Sequence, residues 1–190
     1  MKRKILYFLI VMFLLQGSML SAYEIKGVNL PDTLSVNGTK LVLNGAGVRM
    51  KFFFSIYVGA LYLPNKMHSA DKVINADIPK RIVMHFVYSH KISKEKIIDA
   101  FKDDFENNSK ELLPEIKSEI KRFYSFFDSD FNKNDEVVIT YLPMKGTCVE
   151  INKKLKGCIA GKKFMKAVFS VWLGEDPPSE GLKNKMLGND

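Results

Sequence analysis

Residues 80–105 read KRIVMHFVYSHKISKEKIIDAFKDDF, and the change of period inside this stretch decides the fold class. Over residues 80–88, Ile82, Met84, Phe86 and Tyr88 alternate with Val83, His85 and Val87. Both sets are largely apolar, which predicts a strand covered on both faces. Past His90 the period lengthens: Ile97, Phe101 and Phe105 recur every four residues, the mark of one apolar stripe on a helix. A strand that needs cover is therefore followed closely by an element able to cover it.

Toward the N-terminus the chain is rich in β signals. Thr33–Val36, the turn Asn37-Gly38-Thr39 and residues 40–43 predict a hairpin, because Asn-Gly suits a tight turn with positive φ. Gly45 and Gly47 punctuate the chain before residues 48–63, a segment rich in Phe, Val, Ile and Tyr. Toward the C-terminus, Leu113, Ile116, Ile120, Phe123 and Phe127 predict a second helix. It should start near Leu113, since Pro114 is tolerated only in a first turn. Residues 128–135 form a polar loop, and strands are expected at Glu136–Leu142, residues 147–151 and residues 155–160. A helix over Lys162–Leu173 should bury Phe164, Val168, Val171 and Trp172, with Gly174 placed to stop it. This order predicts one α+β domain, an antiparallel sheet carrying helices on one face.

The N-terminus carries a different message. Lys2, Arg3 and Lys4 precede an uninterrupted apolar run over residues 5–15, and Leu20-Ser21-Ala22 supplies a small residue for a cut. That is the order of a secretory signal peptide. The run has 11 residues, against the ~20 of a membrane-spanning helix. Residues 1–22 are therefore read as a signal peptide and residues 23–190 as the exported domain, periplasmic or extracellular, with no membrane span after cleavage. An uncleaved anchor is the alternative. No cysteine follows the apolar run, which argues against a lipid anchor.

Removing Lys2, Arg3 and Lys4 from 29 basic residues leaves 26 against 21 acidic ones, a net charge of +5. The lysines sit among acids, as in Lys94-Glu95-Lys96, and form no basic run interleaved with stacking aromatics. A nucleic-acid partner is not expected. His68, His85 and His90 have no metal-ligand spacing with one another or with the cysteines, so no metal is expected.

Cys148 and Cys158 are candidates for a disulfide, which export would permit. Two registers are open. A three-residue loop at Asn152-Lys153-Lys154 sets the cysteines face to face. A loop of Asn152-Lys153 alone sets Cys148 opposite Gly157 and turns the thiols to opposite faces.

Three segments in succession resemble the chalcone isomerase-like family, most closely its small secreted bacterial members. They are Asn44-Gly45-Ala46-Gly47-Val48-Arg49 with Tyr57-Val58-Gly59-Ala60-Leu61-Tyr62-Leu63, then Pro79-Lys80-Arg81-Ile82-Val83-Met84 leading to Lys94-Glu95-Lys96, then Phe169-Ser170-Val171-Trp172-Leu173-Gly174-Glu175-Asp176-Pro177-Pro178-Ser179. The resemblance implies an open-faced β-sandwich, a long curved sheet backed by helices, with a ligand cleft between the two layers. It implies no cofactor.

Residue by residue, Arg49 matches the family's cleft arginine, which polarises the substrate in true chalcone isomerases and pairs with a carboxylate in the plastid fatty-acid-binding branch. Tyr57 falls near the isomerase's water-holding threonine, and a tyrosine works beside the arginine in the fatty-acid-binding branch. Ser179 matches a substrate-contacting Thr or Ser. The isomerase's catalytic tyrosine corresponds to Ser93 and its active-site asparagine to Ala100, which removes half of the network that ring closure needs. Each match has a plain structural reading beside it. Arg49 can be a strand-end surface residue, Tyr57 a half-buried sheet residue, Ser179 a helix N-cap ahead of Leu182, Met186 and Leu187. Trp172 reads as core, and Phe52-Phe53-Phe54 as cleft lining or core.

The sequence thus favours an exported protein that binds a small amphipathic or aromatic ligand, a fatty acid or similar carboxylate, through Arg49, Tyr57 and Ser179. A cofactor-free lyase or isomerase using Arg49 and a ligand-free envelope scaffold are the alternatives.

Overall fold

The computed structural model describes residues 22–189. The expected signal peptide lies outside the described residues apart from Ala22. A hairpin of β1 (Ala22–Ile25) and β2 (Val28–Pro31) precedes one seven-stranded antiparallel sheet. The sheet runs β3 (Thr33–Val36), β4 (Thr39–Lys51), β5 (Phe54–Leu63), β6 (Lys80–Phe86), β7 (Glu136–Leu142), β8 (Gly146–Ile151) and β9 (Lys154–Ile159), each beside the next. The helices are α1 (Ala70–Asn75), α2 (Lys94–Ser109), α3 (Lys117–Tyr124), α4 (Lys162–Leu173) and α5 (Glu180–Leu187).

The period-two strand at the start of the decisive stretch separates two cores. Ile82, Met84 and Phe86 of β6 join Phe101 and Phe105 of α2 and nearly the whole of α4 in the larger one. Val83 belongs to the smaller one on the opposite face, where Val28 and Leu30 of the first hairpin meet Val58, Ala60 and Tyr62 of β5. The layers follow from the pattern: helices cover one face and a two-stranded flap covers part of the other. This is the expected α+β architecture, a long curved antiparallel sheet backed by helices.

Several local expectations need correction. Gly45 and Gly47 do not interrupt the chain; β4 runs through both as a 13-residue strand with a register shift between Leu43 and Gly45. The helix expected from Leu113 is a 3-10 turn over Leu113–Glu115 followed by α3, because Ile116 (φ −122°, ψ 25°) leaves helical geometry between them. Phe126 and Phe127 are buried in the turn after α3 and not on it. The strand expected over residues 80–88 stops at Phe86. Helix α1 and the β1–β2 hairpin are too short to show a period. Helix α1 is held by Ser69 at its N-cap and by the fully buried Lys80, which donates to the carbonyls of Val73, Ile74 and Ala76 at 2.6, 3.0 and 3.1 Å. Gly174 does end α4, but at φ −69° it needs no left-handed freedom; its lack of a side chain makes room for the Asn108 amide and the Ser170 carbonyl.

The cysteine hairpin takes neither of the two registers considered. Its loop is the short one, with Ile151 opposite Lys154, yet a bulge between Val149 and Glu150, where Lys156 is the extra residue on β9, restores Cys148 opposite Cys158. The two sulfurs are bonded. An extra residue in one strand shifts the parity that loop length alone would set.

Candidate functional site

Two features of the β4–β5 ribbon create a site at one end of the helix-covered face. The first is register: Arg49 and Tyr57 are directly opposite, so both project toward the helices. The second is shape. Helix α2 leans on the sheet through Ile97, Phe101 and Phe105, and beside the ribbon it leaves a cavity of about 610 Å³. That volume lies within the range of pockets that take small ligands, ~300–1,000 Å³. Its apolar wall includes Ile56, Met84, Phe86, Ile97, Phe101 and Trp172.

Three groups stand together at the polar end of this cavity, whose lining also includes Lys51, Lys91, Lys96, Asp99 and Asp103. Arg49, half-buried, carries its guanidinium 5.9 Å from the centre of the Tyr57 ring. Among the described residues no carboxylate makes an ion pair with it. Tyr57 is buried, and its hydroxyl accepts a hydrogen bond from Trp172 Nε1 at 2.9 Å. A phenol is donor and acceptor together, so the O–H remains free to donate. Burial pushes the Tyr57 hydroxyl up to about 12, against the opposing pull of Arg49 and of the indole hydrogen bond. It is a neutral donor at any physiological pH.

The third group is Asp104 on α2, which sequence reasoning missed. Burial pushes its carboxyl up to about 6, with Arg49 pulling it down and Asp103 and Asp176 pushing it further up. The signal was present: Ala100 was matched to a cleft position, and a residue four further on lies on the same helix face.

The remaining candidates separate. Ala100 lines the cavity but presents only a methyl group. Ser93 is the N-cap of α2, accepting from the Lys96 amide at 3.4 Å. Ser179 is likewise a cap, accepting from the Leu182 amide of α5 at 3.2 Å, and it does not line this cavity. Trp172 is both core and site: 1% exposed, it forms part of the cavity wall and holds Tyr57. Phe52-Phe53-Phe54 is not core: Phe52 and Phe54 line the outer part of the cavity and Phe53 does not, and the three residues are 84%, 54% and 95% exposed respectively.

A second cavity, about 560 Å³, lies on the opposite face under the β1–β2 flap. Within its lining Arg81 donates to Thr140 and faces Glu150, and His85 faces Glu136. Among the described residues no cluster of three or more His, Cys, Asp or Glu side chains is arranged to hold a metal ion, and no helix is long and apolar enough to cross a membrane.

Residues 22–188 match the family model described as chalcone isomerase-like. The chain belongs to the chalcone isomerase-like family. No curated protein matches its sequence. Among solved structures, the crystal structure of a fatty-acid binding protein of Arabidopsis thaliana shares the fold of this family member. The TM-score is 0.70 at 17% sequence identity, covering 89% of this chain and 96% of that one. In this chalcone isomerase-like protein the cleft between sheet and helix holds Arg49 and Tyr57, while the Ser93 hydroxyl is engaged in capping and Ala100 presents a methyl group.

Proposed function

We propose that this chain is an exported binding protein for a fatty acid or similar amphipathic carboxylate, held in the 610 Å³ cavity with its polar end at Arg49 and Tyr57. One observation carries the reading. A half-buried guanidinium that makes no ion pair among the described residues stands opposite a buried phenol whose oxygen is already oriented by an indole, at one end of a cavity with an apolar wall. A carboxylate satisfies both groups at once: two N–H donors from the guanidinium and one O–H from the phenol. Acyl carbon atoms then occupy the wall formed by Phe86, Ile97, Phe101 and Trp172. The Arabidopsis protein of the same fold, a fatty-acid binding protein, supports this ligand class.

The test is titration of a long-chain fatty acid into wild type and Arg49→Ala. Loss of a charge-assisted hydrogen bond costs about 1.5–3 kcal/mol, so affinity should fall on the order of 10- to 100-fold with unchanged circular dichroism. Absence of binding to the wild type returns the ligand-free scaffold as the better reading, and unchanged affinity in a folded Arg49→Ala protein removes the arginine from the site. The cofactor-free isomerase reading now rests on Asp104, the cavity carboxyl held near 6. Ligand recovered chemically unchanged after incubation supports binding; rearrangement that disappears in Asp104→Asn supports catalysis. For export, the protein found in the cell envelope should begin near Tyr23.

A further inference from the structure

The β4–β5 hairpin turns through Phe52 and Phe53, between the paired residues Lys51 and Phe54. Phe52 sits at φ 54°, while Phe53 is outside the left-handed region. A positive φ at the first of two central turn residues is a position that favours glycine. A bulky residue there gives up local fit, and such departures concentrate at functional sites. What it yields is exposure: Phe52 is 84% and Phe53 95% exposed, with Phe54 and Met50 about half exposed beside them. Phe54 meets Tyr88 edge to face at 5.6 Å, which extends the aromatic apex onto the adjoining wall.

Two further observations say what covers this apex. It is continuous with the cavity, since Phe52, Phe54 and Tyr88 are also rim residues of the proposed ligand site. Lys51, Lys91 and Lys96 stand on the same rim, all exposed, together with Asp103 and with Asp99, which is paired with Lys102. Lys91 is paired with Asp130, whereas Lys51 and Lys96 have no ion pair among the described residues. A narrow apex of phenylalanines flanked by lysines matches the layering of a bilayer surface: apolar rings among the acyl chains, ammonium groups at the level of anionic headgroups. A protruding two-residue turn is a wedge rather than a flat patch, a shape suited to a fluid partner.

We propose that the Phe52-Phe53-Phe54 tip inserts into the surface of an anionic membrane, and that the cavity beside it is filled from and emptied into that membrane. The site of insertion stands independently; the filling step rests on the binding reading above.

Phe53→Trp places a reporter on the tip at a position too exposed to disturb the fold. The full chain is mixed with vesicles of phosphatidylethanolamine and phosphatidylglycerol, with wild type supplying the background of the buried Trp172. The introduced indole should shift to shorter wavelength and be quenched by brominated acyl chains. Lys51→Glu/Lys96→Glu should raise the vesicle concentration needed on the order of 10-fold. An indole that is neither shifted nor quenched by vesicles overturns the proposal. So does a shift that tracks protein concentration without vesicles, which would assign the tip to a second copy of the chain. With fatty acid supplied in vesicles, Phe53→Ser, at the one tip residue that does not line the cavity, should slow uptake on the order of 10-fold and leave the equilibrium affinity in solution unchanged. Arg49→Ala should do the reverse, lowering affinity without altering quenching at the tip. Failure of the binding reading and failure of tip insertion are thus separate results.

Discussion

At one end of the β4–β5 ribbon, Gly45, Gly47 and Gly59 let helix α5 lie directly against the strands; at the other, Arg49 and Tyr57 stand under an open cavity and the chain turns through exposed phenylalanines. The first end is sealed by polar contacts as well as by fit. Asn44 is buried at the register shift, donating to the carbonyls of Met67 and Met186 at 2.9 and 2.8 Å and accepting from the Met67 amide at 2.7 Å. One side chain thereby joins the strand, the loop after β5 and the end of α5. The difference shows how two strands can serve both structure and binding. A second register shift lies between Arg49 and Met50, so the uniform pairing between the two shifts is what sets Arg49 opposite Tyr57. The closed end holds that pairing, and the open end uses it.

If this division holds, substitutions at the closed end should cost stability first. Gly45→Val should have the largest effect, because any Cβ at this position would stand 2.0 Å from the backbone oxygen of Lys185. The helix cannot yield its backbone cheaply, so α5 must move away; more than about 4 kcal/mol of stability should be lost. Urea denaturation gives the value, and a near-native midpoint would break the comparison at its base. Asn44→Ala should come next. It leaves two carbonyls and one amide without their partner, a cost of about 2–4 kcal/mol measured by the same denaturation curve. Fatty-acid affinity of the protein that remains folded should be unchanged; a parallel loss of affinity would show that the two ends are one unit.

The smallest effect belongs to the open end and sharpens the comparison instead of testing its strength. Asp104, held near 6, is mostly ionised above that pH and opposes an anion placed beside Arg49. As pH falls through about 6 the carboxyl takes up a proton and the opposition is lost. Affinity for an alkyl sulfonate, which stays charged throughout, should therefore rise on acidification in wild type. Asp104→Asn should already show the higher affinity at pH 7.5, by about 1 kcal/mol or roughly fivefold, and a flat profile between pH 5 and 8. Isothermal titration at several pH values decides it, and a wild-type profile that falls toward low pH would reverse the assignment.

The sheet and its helical cover were legible because β6 and α2 state their periods plainly over enough residues. The site was legible only in part. Arg49 and Tyr57 lie on strands whose pairing follows from the pattern, so their meeting could be anticipated. Asp104 lies on a helix whose rotation is set by Phe101 and Phe105, and its relevance appears only once α2 is docked. Ser179 illustrates the converse: a hydroxyl ahead of an apolar-periodic segment has a local use, capping, that is met before any ligand arrives. Gly45 and Gly47 read as breaks because a glycine's local freedom is visible in sequence, whereas a helix lying across it is not. For Phe52-Phe53-Phe54, hydrophobicity argued for burial, and the turn geometry that exposes the rings depends on where β4 and β5 stop pairing.

Strand β9 is the outer margin of the seven-stranded sheet, and such margins are where a protein risks adding the backbone of a neighbour. Its alignment with β8 is unusual in depending on a bulge, and a slip by one residue would send Leu155 and Lys156 to exchanged faces. The bond between Cys148 and Cys158 removes that freedom, but only after the thiols have been oxidised. In a reducing compartment this margin keeps its ladder to β8 and the Lys156–Asp128 ion pair but has no covalent lock on its alignment; in an oxidising one that lock is present. The same strand would carry a covalent pin on one side of a membrane and only its hydrogen bonds and ion pair on the other.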